Sequence, residues 1–409
     1  MKKLLILSNN YTSDKVAGIA IRFMEIAKAL SKDLDVTLAL SKSDGYSSND
    51  FEIAGFKTDN DILGLLKRHD VALTRGLDIV GSKKLSNSGI PMIFDLLCPF
   101  FFEGLESEKN DQKAFNASLK DNRALIEKLA KRGDFFICAN EEQRDFWLAN
   151  LYQCGRIDHK TYNADPSLKN LIDIVPFGLE PASPVHSKKA LKGTVPGIKE
   201  TDKVIIWFGG LWDWLDPLSV IEAVKNISRK RNDIKLVFVG GKHPNPSTKP
   251  HEMLKKTIDA AAASGLNNKT IFFIDWVAYN ERANYLLESD IGIITHNDNL
   301  ETRFSWRTRV LDYFWTDLPT ILTKGDPMSR VIEKNGLGKT VNYNDPKDIE
   351  NAILEICDHP AVSEKIRSSI NSFKERLSWN TVVAPIVNFC KDPKRTSQSP
   401  NFIERMMGK

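Results

Sequence analysis

Between Glu301 and Asp312 the chain sets three arginines, Arg303, Arg307 and Arg309, beside the rings of Phe304 and Trp306. Guanidinium groups make paired hydrogen bonds to carboxylate or phosphate oxygens, so this density of charge serves either an internal ion-pair network or an anionic ligand. If a helix starts near Ser305, then Ser305, Arg309 and Asp312 fall at i, i+4 and i+7 and share one face. Phe304, Leu311, Phe314 and Trp315 are left to pack. On that reading the arginines gathered at a helix start suit a diphosphate, and Asp312 accepts from the two hydroxyls of a ribose.

Three further loops follow apolar runs and carry residues of the same kind. In WFGGLWDWLDP, Gly209 and Gly210 let the backbone turn tightly and approach a phosphate, with the next helix offering unpaired N–H groups. The alternative is a plain turn in which Trp212 and Trp214 only pack. In VFVGGKHPNPS, Gly240 and Gly241 precede Lys242, which either reaches a phosphate or stays a solvated turn lysine. In FIDWVAYNERANYLLESD, Trp276 and Val277 either wall a base-binding slot or belong to the core. His69 precedes an apolar run and reads as solvated, with no role.

Elements that could position these loops are legible in the hydrophobic pattern. Short aliphatic runs alternate with helix-period segments, the signature of parallel βαβ units in an α/β fold. KLLILS, DVTLAL, DVALT, PMIF, DFFICA and LIDIVPF read as strands of a first unit, with a helix between Gly18 and Ser31. HSKKALKGTVPGIKETDK reads as a linker. The pattern restarts at VIIWF and continues through KLVFVGG, TIFFID, IGIIT, LPTIL and GKTV. Two doubly wound units in tandem result, expected over 1–185 and 186–375, with 376–409 a helical segment returning to the first. Ligands of such sheets bind beyond the carboxyl ends of the strands.

Bulk composition narrows the function classes. A chain of 409 residues with 42% hydrophobic composition is long enough for two cores, and a formal charge of +4 is too small for a general nucleic-acid-binding surface. The five cysteines, Cys98, Cys138, Cys154, Cys357 and Cys390, form no CxxC pair and fit a reducing cytoplasm better than a disulfide framework. The apolar run at the start is too short for a signal peptide, and no run approaches the length of a membrane span. Peripheral contact with the inner membrane face stays open.

The two-unit layout, the restart at VIIWFGG, and an acid, Asp312, separated by six residues from Pro319 resemble the GT-B nucleotide-sugar glycosyltransferases, in particular retaining family 4. The segments DFFICANEEQRDFWLANLYQCGRID and LIDIVPFGLEP are similar to bacterial glycosyltransferases of the surface-polysaccharide type. The resemblance implies two Rossmann-like domains facing across a cleft and a metal-independent hexosyl transfer with retention. It also implies a nucleotide-sugar donor and a glycan or lipid-linked acceptor, with no resident cofactor. In that family two acids enclose seven residues; the first touches the transferred sugar and the second the ribose. Asp312 matches the second, whereas Glu301 and Asp312 enclose ten residues and Phe304 occupies the strict position of the first. The family's basic pair in the first loop of the second domain is missing, leaving Arg303, Arg307, Arg309 and Lys242 as substitutes. Asp95, after PMIF, corresponds to a polar position beside the reacting sugar, with Gly18 and Glu103 on the same acceptor-side rim; the alternative for Asp95 is a capping role. The expected function is glycosyl transfer. A nucleotide-sugar epimerase of the same fold and a binding homologue without turnover are the rivals.

Overall fold

The structure is a computed structural model and describes residues 1–9, 18–41, 47–97, 99–241 and 251–396. The described residues divide into two compact units that meet in sequence between Phe177 and Gly178, and the chain from Trp379 onward rejoins the first.

In the first unit seven strands form one parallel sheet: β1 Lys3–Ser8, β2 Asp35–Leu40, β3 Glu52–Gly55, β4 Val71–Thr74, β5 Met92–Asp95, β6 Phe135–Cys138 and β7 Ile172–Ile174. Their order is β3-β2-β1-β4-β5-β6-β7, so the topology reverses between β1 and β4. Six of the strands are the apolar runs legible in the sequence; β3 is not among them, because EIAG is short, half-exposed and at the sheet edge. The central strands are buried on both faces by helices, as their unbroken aliphatic runs require. The returning segment packs here through Phe389, stacked on Phe135 at 4.9 Å, and through the Thr396 amide, which donates to Asp134 at 2.7 Å.

The second unit repeats the scheme with six parallel strands, β8 Lys203–Phe208, β9 Ile234–Val239, β10 Ile271–Ile274, β11 Ile291–Ile294, β12 Thr320–Thr323 and β13 Gly338–Val341, in the order β10-β9-β8-β11-β12-β13. Its reversal lies between β8 and β11. The segment read as a linker is fastened to this unit instead. Glu288 accepts from the Ala190, Leu191 and Lys192 amides at 2.7–2.9 Å, and the Leu191 and Ile198 side chains are buried. Three backbone donors on one carboxylate make a Gly- and Pro-containing stretch part of a core despite its composition.

Candidate functional site

At the reversal point of the second sheet, β8 and β11 pair only through Ile291 with Ile205 and Gly292 with Ile206, and then splay apart. Tyr313 fills the gap. Its ring lies against Gly292, where a side chain would overlap it, while its hydroxyl donates toward Ile293 O at 3.1 Å and accepts from the Phe208 amide at 3.1 Å. Burial raises the Tyr313 phenol, so it stays a neutral donor. The loop after β8 is bound to the loop after β11: the Asp216 amide donates to Thr295 O at 2.9 Å and the Asn297 amide to Trp214 O at 3.3 Å. Two loops at the carboxyl ends of adjacent, diverging strands form the crevice in which open α/β sheets hold ligands.

Gly209 turns out of β8 with φ +122°, a conformation open to glycine and strained for other residues. A Cβ there would lie 2.5 Å from Arg309 Nε, so the missing side chain is what lets the guanidinium lie on the loop. Trp212 borders the same group, with Arg309 Cζ 5.7 Å from its ring, and Trp212 also occupies the space a Gly210 side chain would need. Gly240, at the end of β9, backs onto Gly209 and faces the Trp276 ring. Gly209, Gly210, Trp212, Trp276 and Arg309 therefore come together. Val277 instead packs against the core, and Lys242 lies outside the described residues.

Among the described residues the buried Nη1 of Arg309 has no hydrogen-bond partner, and burial lowers the Arg309 pKa to about 10, which leaves it a cation at neutral pH. The helix that carries it, Thr308–Trp315, begins without a side-chain cap. A buried guanidinium nitrogen without a partner and a bare helix start both favour an anion bound there. The helix after the β8 loop does not supply the N–H groups expected of it. Asp216 caps that helix by accepting from the Ser219 amide at 3.1 Å, which puts a carboxylate where a phosphate would have gone.

The polar helix face expected from Ser305 does not form. A short helix, Leu300–Phe304, ends at Ser305, whose backbone is extended, and the next helix starts at Thr308. Only Arg309 and Asp312 share a helix. Arg303 is exposed, and its guanidinium lies 6.0 Å from the Phe304 ring. Arg307 is already engaged: it grips both Glu301 oxygens at 3.0 and 2.8 Å and reaches Asp326 at 3.2 Å. His296, fully buried, lies 3.3 Å from the same Asp326 oxygen. Burial alone would raise the Asp326 carboxyl, but the adjacent His296 and the Arg307 charge outweigh it and hold the acid below its usual range. Glu301 is thus the local brace of this cluster. Among the described residues Asp312 is bound on one side, accepting from Arg282 Nε at 3.1 Å through Oδ1.

In the first unit Asp95 is not on an open rim. Its side chain is fully buried and accepts from Arg22 Nε at 2.6 Å and Nη2 at 3.3 Å. Arg22 also donates to Val175 O and Pro176 O at 2.7 and 3.0 Å, tying β5 to the last residues of the unit. Gly18 caps the helix Ile19–Leu30 with φ +49°, and Glu103 lies half-buried in the first turn of the helix Phe100–Glu108. His69 is half-buried, bonded to Leu65 O and Thr37 Oγ1 at 2.7 and 2.9 Å, so the expected solvated histidine is a structural one. A pocket of about 640 Å³ opens beyond β1, β2, β3 and β4, lined by Asn9, Ser41, Thr58, Asp59, Asp78 and Ser82 among others. The Asp59-Asn-Asp61 sequence beside it is occupied in capping: Asp61 accepts from the Lys57 and Thr58 amides, and Asp59 from Ser82 Oγ at 2.6 Å. Among the described residues no group of His, Cys, Asp and Glu stands as a metal site, and no helix is long and apolar enough to cross a membrane.

Arg22, Arg282, His296 and Asp326 were not singled out by the sequence. Each is a lone polar residue without a motif, and its partner lies on another element.

The family model described as glycosyl transferases group 1 matches residues 202–359, the span that holds the Gly209 loop, Arg309 and Asp312. The chain has the GT-B fold. Across almost its whole length it is similar to Anabaena HepE, solved in complex with UDP and glucose, at 12% identity and a TM-score of 0.65, covering 96% of this chain and 100% of that one. Sucrose-phosphate synthase from Thermosynechococcus elongatus gives 11% identity, a TM-score of 0.66 and coverages of 96% and 98%. WaaG, a glycosyltransferase involved in lipopolysaccharide biosynthesis, gives 13%, 0.63, 95% and 100%. Compared by sequence, no curated protein matches the chain.

Proposed function

We propose that this GT-B chain transfers a hexose from a nucleoside diphosphate sugar to an acceptor hydroxyl, with the second unit holding the donor. The observation that carries this reading is Arg309, a half-buried cation on the Gly209 turn whose buried Nη1 has no hydrogen-bond partner among the described residues, beside an uncapped helix start. A diphosphate supplies the oxygens this group lacks. As the glycosidic bond breaks, negative charge grows on the leaving phosphate, and a fixed guanidinium in a water-poor site stabilises it without reorganisation. Asp312 Oδ2 takes the ribose hydroxyls and Trp276 borders the base. Lys242 is proposed as a second contact to the phosphates. No metal is required, since the cation is part of the chain.

The complexes of Anabaena HepE with UDP-glucose support uridine donors as the first to try. Retention at the anomeric carbon, a cytoplasmic reaction at the inner membrane face, and a glycan or lipid-linked acceptor of surface-polysaccharide assembly rest on the family resemblance. On this reading the acceptor belongs to the first unit, at the polar pocket beyond β1–β4.

Calorimetric titration with UDP, GDP and dTDP, followed by product analysis with the corresponding sugars in the presence of EDTA, tests the reading. Free nucleotide with a glycosylated product supports transfer, and its anomeric configuration reports retention. An isomerised nucleotide sugar would instead reveal an epimerase. The engagement of Glu301 by Arg307 favours a second reading, a binding homologue without turnover; nucleotide binding with no donor consumption for any acceptor would establish it.

A further inference from the structure

We propose that Arg282 is a positioning residue that orients the ribose-binding carboxylate of Asp312 and couples it to Glu180, at the start of the second unit. The proposal rests on the donor reading above and adds the device that sets this carboxylate.

Arg282 is 4% exposed and held on both faces and three edges. Its Cζ stands 3.7 Å from the Tyr279 ring centroid and 4.2 Å from that of Trp315, so two aromatic faces enclose the planar cation. In its plane, Nη1 donates to Tyr279 O at 2.9 Å, Nη2 to Glu180 Oε2 at 2.6 Å, and Nε to Asp312 Oδ1 at 3.1 Å. A guanidinium stacked and bonded in this way has one orientation available. Asp312 therefore has one oxygen fixed, while its other, Oδ2, makes no hydrogen bond among the described residues and the side chain keeps 30% exposure. That is the geometry of a carboxylate held by one edge and presented by the other.

The trio carries two negative charges against one positive. Burial raises the Asp312 carboxyl and Glu180 raises it further, while Arg282 alone opposes them. Other charged or titratable groups nearby include Arg309, one turn earlier on the same helix, Tyr279, Tyr313, whose phenol is raised by burial, and Lys374, which bonds Trp315 O at 3.2 Å and Asp317 at 2.7 Å. Arg282 and Glu180 thus act on Asp312 with opposite sign. A merely structural ion pair would leave the ribose contact unchanged by either substitution. Glu180 also lies near the junction of the units, and the Trp315 indole donates to Ala182 O at 2.7 Å, so the first residues of the second unit are fastened to the same helix as Asp312.

The test measures UDP and GDP affinities of the whole protein from acid to neutral pH, each beside its 2′,3′-dideoxy analogue. The ratio cancels titration of the phosphates and reports the ribose contact alone. Arg282→Lys keeps the charge but loses the fork and the stack; it should lower the ribo-to-dideoxy ratio by roughly tenfold, about one charge-assisted hydrogen bond, and move the acid limb of the ratio to higher pH. Glu180→Gln should leave the ratio at neutral pH unchanged and move the acid limb to lower pH. A folded Arg282→Lys protein with a wild-type ratio and profile overturns the proposal. If that variant does not fold, Glu180→Gln decides, and an acid limb that stays put or moves upward overturns it. Wild-type protein that binds neither nucleotide removes the donor reading and this inference with it, which separates the two failures.

Discussion

Arg309 and Arg307 stand two residues apart and have opposite fates. Arg307 spends its fork on Glu301 and Asp326, whereas Arg309 Nη1 has no partner. Arg309→Ala should therefore weaken nucleoside diphosphate binding by about 1.5–3 kcal/mol, the value of a charge-assisted hydrogen bond, without loss of thermal stability. Calorimetry on the folded variant checks it, and unchanged affinity would remove Arg309 from the donor site. Asp95 should behave in the opposite way. Because it pairs with Arg22 at zero side-chain exposure, Asp95→Ala strands a buried cation and should cost about 3–5 kcal/mol of stability. Denaturant unfolding measures this directly; a stable variant with impaired turnover would return Asp95 to the reacting centre.

At the scale of elements, the site depends on how closely the β8 turn and the helix Thr308–Trp315 approach. Gly209→Ala would put a methyl 2.5 Å from Arg309 Nε on a backbone with φ +122°, a strain of about 1–3 kcal/mol. The variant should lose nucleotide affinity as Arg309→Ala does. Since both changes act through one contact, the double variant should lose little more than either alone, and additive losses would show that the turn and the guanidinium act separately. The break at Ser305–Arg307 belongs to this scale as well. Hydrophobic period suggested a helix beginning near Ser305, but Arg307 reaches back to Glu301 and across to Asp326, and those bonds are made with Ser305 extended.

For the whole molecule, ligand binding in one unit should be visible as selective stabilisation. Nucleotide at 100 times its dissociation constant adds about 2.7 kcal/mol to whatever it binds. Scanning calorimetry with UDP should raise the transition of the second unit and leave that of the first in place; a shift of both together would show that the units unfold as one. The parallel α/β architecture of each unit was legible in the sequence, because period and burial are local: short aliphatic runs between helix-period segments fit strands covered on both faces. The sequence also marked the loops that follow strands as the candidates for the chemistry. It did not determine β3, whose half-exposed EIAG carries no periodic signal, nor the fixing of residues 186–203 by Glu288. Above all it left open which charges pair. Arg22 meets Asp95 across 73 residues and Arg282 meets Glu180 across 102, so those partners are chosen by how strands and helices stack. Even between neighbours the tertiary structure decided: Arg307 is paired with Glu301 and Asp326, whereas Arg309 lies on a glycine turn that makes room for it, its Nη1 without a hydrogen-bond partner among the described residues.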